Sequence, residues 1–328
     1  MHIFITGATG FIGSAIVRDL ISSGHEVTGL VRSDEAARRL EASGAKVCRG
    51  TIEDLPLLRR QAARVDGVIH TAFFHAFSQA SLGLRLRILL GGAPSGIVTR
   101  FMTAAVETDR HAIETFGAAL MEGARPIAIA FPTMAMAPGR LAVETDDADP
   151  NAVGGLRARS EQQVHTLAAC GVRASLIRLP PSVHDETKQG LVTQLIAIAR
   201  KTWVSACIGA GENRWCAVHR QSAARLFRLA LERGDAGAHY HAIGEEPLAF
   251  RAIAEAIGGQ LDVPLRELGQ KDAAKHFGWL APFVGTDNPV SSRITQDRLG
   301  WQPEHPGLLS DIGAALRNDR AATSSAAA

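Results

Sequence analysis

Short apolar runs alternate with stretches whose apolar positions recur every three or four residues along the first half of the chain. The runs His2–Ile5, Glu26–Val31, Lys46–Arg49, Gly67–His70, Ile127–Ala130, Ala174–Arg178 and His239–Ile243 are predicted as strands. The stretches Ile12–Ser22, Ser33–Ala42, Leu55–Ala63, Val98–Met121 and Gly155–Ala169 are predicted as helices. Apolar strands separated by amphipathic helices imply a parallel sheet whose crossovers cover both faces. From Pro181 the alternation fails, and Leu191–Ala199, Gln221–Glu232, Phe250–Ile257 and Lys271–Phe277 read as helices with Pro and Gly between them. The alternating leucines and arginines of Ser81–Leu90 are flanked by glycine, and are expected to form a mobile loop rather than a membrane-surface helix.

Between the first predicted strand and helix lies Thr6-Gly7-Ala8-Thr9-Gly10-Phe11-Ile12-Gly13. Gly7 permits a tight turn, Gly10 removes a Cβ from the path of a ligand, and Gly13 lets helix and strand approach closely. Backbone N–H groups at the start of the helix can then face a pyrophosphate. Three glycines alone say little, but their place between a strand and a helix, with a second strand following, argues a dinucleotide site. The expected fold class is therefore α/β, a Rossmann doubly wound parallel sheet with a smaller C-terminal substrate-binding lobe. The sheet occupies 1–180 and regains 217–244; the lobe takes 181–216 and 245–320; the low-complexity tail 321–328 is expected to be disordered.

Composition narrows the partners. A net charge of +2 over 328 residues gives no basis for expecting nucleic acid or an acidic membrane as partner. Cys48, Cys170, Cys207 and Cys216 are scattered, so reduced thiols are expected, and no metal site. The chain opens without a signal-like segment, and its apolar runs are shorter than about 18 residues. A cytoplasmic protein acting on a small-molecule substrate is expected.

The glycine spacing, the run Val68-Ile69-His70-Thr71-Ala72 and the ending Leu299-Gly300-Trp301-Gln302-Pro303 together resemble an extended or atypical short-chain dehydrogenase/reductase of the epimerase/dehydratase branch. The resemblance spans nearly the whole chain and is strongest in the first 75 residues. It implies a nicotinamide cofactor, contacts from Gly7, Thr9, Gly10, Phe11, Ile12 and Gly13, and a homodimer formed through helices Val98–Met121 and Gly155–Ala169. Thr71, Ala72 and Phe73 would pass beside the nicotinamide ribose. Relatives carry an Asp-Leu pair facing the adenine, where this chain has Thr51 and Ile52.

Cofactor choice is read after the second strand, where an NAD site places a carboxylate on the ribose hydroxyl. Here stand Arg32 and Ser33, a guanidinium and a hydroxyl suited to a 2′-phosphate. NADP is expected over NAD, the plainer reading being that Arg32 is solvated.

The catalytic pattern departs from the family. Its Tyr and Lys, four residues apart on one helix, pass the proton and hold the ribose. The single tyrosine here, Tyr240, lies in a predicted strand and has Gly244 four residues on, so that motif is absent. By position, Thr133 falls where relatives have a catalytic Ser or Thr. If Glu161 in "RARSEQ" matches the glutamate of the family's helix, Arg157 takes the Lys place and Val153 the Tyr place. Arg157 could hold the ribose and polarise an oxygen but hardly deprotonates. Each residue also has a plain reading: Arg157 as an exposed helix arginine, Thr133 as a buried hydroxyl bonded to backbone. His75 and His184 are candidate proton donors, because imidazole titrates in the useful range. Pro180, Ser182 and Val183 precede His184 where relatives bring a loop against the nicotinamide. Arg214-Trp215 and His219-Arg220 match a segment that binds substrate or the far end of the cofactor, or else belong to a strand edge.

The favoured expectation is an NADP-dependent oxidoreductase moving hydride to or from a small carbonyl, imine or activated alkene. A non-catalytic NADP(H) sensor and an NAD-dependent epimerase/dehydratase remain as alternatives.

Overall fold

The computed structural model describes residues 1–326. Its central sheet contains β1 (His2–Thr6), β2 (Glu26–Val31), β3 (Lys46–Arg49), β4 (Gly67–His70), β5 (Pro126–Pro132) and β6 (Arg173–Leu179), with His239–His241 as a seventh strand. Between them run α1 (Phe11–Ser22), α2 (Asp34–Glu41), α3 (Leu55–Ala62), α4 (Leu82–Leu90), α5 (Ile97–Leu120) and α6 (Ala158–Ala169). Across the sheet the order is His239–His241, β6, β5, β4, β1, β2, β3. β1 pairs in parallel with β2 and β4, so the order reverses beside β1, as in doubly wound Rossmann sheets. The α/β expectation is met. β1 sits centrally because Ile3, Phe4 and Ile5 are buried on both faces.

Local chemistry sets the helix starts. Ser33 caps α2 by accepting from Ala36 N, with Asp34 and Glu35 in the first turn and Arg38 and Arg39 in the last. Asp54 caps α3 in the same way, accepting from Leu57 N. The stretch expected as a mobile loop is instead helix α4. Ser81 caps it at Leu84 N, and the Glu53 carboxylate accepts from both Ser81 N and Ser81 Oγ. Its leucines and arginines are strong helix formers, and Leu84 and Ile88 face inward one turn apart.

The chain forms two compact units. The first is Met1–Phe131, Leu156–Ile177 and Ala224–His239; the second is Pro132–Gly155, Arg178–Ala223 and Tyr240–Ala328. The segment returning to the first unit is shorter than the expected 217–244, because Ala217–His219 pairs in parallel with Ser182–His184 inside the second. Residues 132–155 likewise leave the first unit. The core of the second gathers Val192, Leu195, Trp215, Phe250, Ile253, Leu308 and Ile312 around the helices Val192–Thr202 and Phe250–Leu261.

The helix that starts at Leu308 runs to Ala326, so the tail expected to be disordered from 321 is helical to that point, as its alanines favour. Residues 327–328 lie outside the described residues. No helix among the described residues is long and apolar enough to cross a membrane.

The turn after β1 has no room for side chains. Gly7 adopts φ +74°, and a Cβ on Gly13 would lie 2.0 Å from the Gly7 carbonyl oxygen. Gly13→Ala should therefore cost about 1–3 kcal/mol, read as a lower midpoint in thermal unfolding. Gly259, inside the helix Phe250–Leu261, has nothing within 4 Å of an added Cβ, so Gly259→Ala should raise the midpoint through about 0.5–1 kcal/mol.

Candidate active site

The glycine turn delivers α1 with an open N-terminus. Gly10 occupies the cap position without a side-chain hydrogen bond, and the first turn holds no acidic residue. The positive end of the helix is thus left for an anion, and a dinucleotide pyrophosphate fits it. Thr9, Phe11 and Ile12 are half-buried around this turn. Beyond β4, the Thr71 hydroxyl donates to Thr6 O at 2.8 Å, and Ala72 N donates to Thr6 Oγ1 at 3.2 Å. These bonds hold Thr71, Ala72 and Phe73 against the end of β1.

The first unit also contains a buried polar chain. Thr6 Oγ1 lies 2.7 Å from His70 Nδ1, and His70 Nε2 lies 3.3 Å from Asp109 Oδ1. Asp109 Oδ2 accepts from Ser160 Oγ at 2.7 Å and from Arg157 Nη2 at 3.0 Å. Arg157 Nη2 also donates to Ala130 O at 3.0 Å. Its guanidinium carbon sits 4.6 Å from the centre of the Phe73 ring and 5.4 Å from that of Phe131. Burial works against a charged Asp109, yet Arg157, then His70 and Ser160, outweigh it and hold the carboxyl below its ordinary value. Arg157 is therefore an enclosed, paired cation rather than an exposed helix arginine.

The other expected residues fall as follows. Arg32 is exposed, and its Nη1 donates to Gln79 O at 3.0 Å. Ser33 is committed as the α2 cap. Thr51 Oγ1 accepts from Glu53 N, and Ile52 is buried. His75 is exposed, its ring 5.4 Å from that of Phe73.

In the second unit, Thr133 is fully buried. Its hydroxyl donates to Asn288 Oδ1 at 2.8 Å, while Asn288 Nδ2 donates back to Thr133 O at 2.9 Å. Of the two readings of Thr133, the buried hydroxyl is the one seen, its partner a side chain rather than backbone. His184, a candidate proton donor by sequence, is enclosed. It is 1% exposed, with Nδ1 2.7 Å from Asp311 Oδ2 and Nε2 3.8 Å from Glu245 Oε1. Burial dominates over the charge of Asp185, which favours an imidazolium, and pushes His184 down to about 4, so we assign neutral imidazole. Pro180, Ser182 and Val183 are buried in the same stretch, and Ser182 Oγ has no hydrogen-bond partner. Arg214 is paired with Asp287, and Arg220 with Asp185. Tyr240 is buried within its strand.

Residues 3–89, which carry the glycine turn, match the NAD dependent epimerase/dehydratase family. An uncharacterized protein of Schizosaccharomyces pombe is 42% identical over 313 residues, covering 95% of this chain and 98% of that protein. The chain belongs to the NAD-dependent epimerase/dehydratase family. A ketoreductase of Stigmatella aurantiaca, acting on 4-hydroxy-2-methyl-3-oxo-4-farnesyl-3,4-dihydroquinoline-1-oxide by its name, is 25% identical over 85% of this chain and 80% of its own. A double mutant of the Streptomyces venezuelae dTDP-glucose 4,6-dehydratase, solved with NAD, shares the fold with a TM-score of 0.72. Its identity is 18%, over 98% of this chain and 97% of that one.

Within this member of the family, sequence reasoning missed Asp109, Ser160 and the bonds of Thr6 and His70. One signal was present: Asp109 interrupts the apolar stripe Ala105, Val106, Ala112, Ile113 and Phe116 of α5.

Two outcomes follow from these electrostatics. Asp109→Asn leaves Arg157 without its buried counter-charge and should cost about 3–5 kcal/mol in urea unfolding. His184 binds its proton more weakly folded than unfolded, so its contribution is complete above pH 6.5 and is lost as pH falls toward about 4. Unfolding titrations between these values should lose on the order of 3 kcal/mol, and His184→Asn should flatten that slope.

Proposed function

We propose that this chain is an NADP-dependent oxidoreductase that moves hydride between nicotinamide and a small carbonyl, imine or activated alkene without the family's tyrosine. The observation that carries this reading is the state of Arg157. Asp109 and Ala130 pin its Nη2, while its buried Nε has no hydrogen-bond partner. A fixed cation with donors to spare suits the ribose hydroxyls that the family's lysine holds. The ketoreductase relative supports a carbonyl substrate, and Arg32, exposed after β2, supports a 2′-phosphate.

When bound, the nicotinamide supplies or accepts the hydride. The chain's own part is to orient the cofactor at Gly7–Gly13 and Arg157 and to manage one proton. A guanidinium binds and orients but hardly deprotonates, so Arg157 is not assigned the proton transfer. Thr133 has committed its proton to Asn288. His75 is exposed and beside the ring on which Arg157 rests, so we assign it the proton transfer. Phe73 links the two: its ring meets His75 by an edge and lies 4.6 Å from the Arg157 guanidinium.

The closed Thr133–Asn288 pair favours a second reading, a non-catalytic NADP(H) sensor. NADPH oxidation against aldehydes, ketones, imines and enones separates the two. Turnover is expected with NADPH in preference to NADH. His75→Ala should lower kcat by about 10²–10⁴-fold, and Arg157→Ala should raise KM for NADPH. Saturable NADPH binding with no oxidation across the panel would move the assignment to the sensor.

A further inference from the structure

A second cluster of chemistry-bearing side chains lies elsewhere in the first unit. Glu161 and His165 stand four residues apart on α6 and therefore share one helix face, a turn apart. His239, at the start of the seventh strand, meets that face. Its Nε2 lies 3.5 Å from Glu161 Oε1, and its ring centre lies 5.0 Å from that of His165 at an interplanar angle of 63°. One ligand atom from each residue can be chosen so that all lie within 4.8 Å of one another. Glu161 and His239 are buried, and His165 is half-buried. The two segments are in close contact nearby, since a Cβ on Gly237 would lie 3.4 Å from Ala168 Cβ.

We propose that Glu161, His165 and His239 form a binding site for a divalent transition metal, Zn²⁺ above all. Two imidazoles and one carboxylate are a known zinc-binding combination, with metal–ligand bonds of about 2.0–2.2 Å. Tetrahedral coordination at that bond length sets ligand atoms about 3.3–3.5 Å apart, so the Glu161–His239 edge already has the required length. The remaining edges close by about 1 Å through rotation of His165, the ligand with solvent access. A fourth position stays open for water. Imidazole and carboxylate together select Zn²⁺, Co²⁺ or Ni²⁺ over Mg²⁺ and Ca²⁺, which prefer oxygen donors alone. The metal would tie α6, which follows directly from Arg157, to the strand His239–His241. This runs against the expectation from cysteine spacing that the chain has no metal site. It arises from three residues that cysteine spacing does not report.

Co²⁺ titration of the metal-stripped full chain, followed by visible absorption, tests the site. One equivalent of Co²⁺ should give d–d bands of a four- or five-coordinate ion, displaced by Zn²⁺, and Zn²⁺ should raise the unfolding midpoint reversibly with EDTA. His239→Ala should weaken Co²⁺ binding by at least about tenfold, since even loss of a group that only supports a ligand costs that much. His165→Asn, at a half-buried position, repeats the test with less risk to folding. His305→Ala removes an exposed imidazole of the second unit, which stacks on His219, and should leave binding unchanged. Absence of the bands at millimolar Co²⁺, or equal affinity in His239→Ala and His165→Asn to that of the unaltered chain, overturns the proposal. So does loss of binding in His305→Ala alone. None of these readouts depends on NADPH turnover.

Discussion

A buried carboxylate has to be answered by buried donors, and in the first unit the answer to Asp109 organises the site. Its two oxygens accept from Arg157 and Ser160 and approach His70. An isolated charge at this depth would cost several kcal/mol, so the helix that carries Asp109 and the helix that begins after Arg157 are constrained to one relative placement. The same bond fixes what Arg157 can do. The guanidinium is held against Asp109 and over the Phe73 ring.

The second unit handles buried polarity differently. There His184 is kept neutral by burial beside Asp311, and Thr133 and Asn288 satisfy one another in a closed pair. Pairing thus stabilises the charge of Asp109, while desolvation suppresses that of His184. Acidification acts on the two in different ranges: His184 is affected between pH 6.5 and about 4, whereas Asp109 retains its charge below the ordinary aspartate range.

Family membership and chemistry are separable here. The glycine turn, the strand order and the relatives are those of the NAD-dependent epimerase/dehydratase family. Family and fold alone do not supply a reaction, which has to be read from the side chains of the site itself.

Elements governed by local interactions were legible in the chain. The strands Glu26–Val31 and Gly67–His70 fall at their expected bounds, because a continuous apolar run needs only a two-sided sheet, and the edge strand Lys46–Arg49 does so through its pairing with β2. The glycine turn was legible because steric limits at Gly7 and Gly13 act over a few residues. Helix α4 was misread although its cap, Ser81 to Leu84 N, is local; only the anchoring of Ser81 by Glu53, 28 residues away, lies beyond local reach. The same limit hid the site's partners: Asp109 and Arg157 are 48 residues apart, and Thr133 and Asn288 are 155 apart. Sequence alone determined most of the sheet's strands and the glycine turn after β1, since their physics is local. Only the tertiary structure decided which polar groups are open and which are bound, because burial and pairing are properties of segments that meet through the fold.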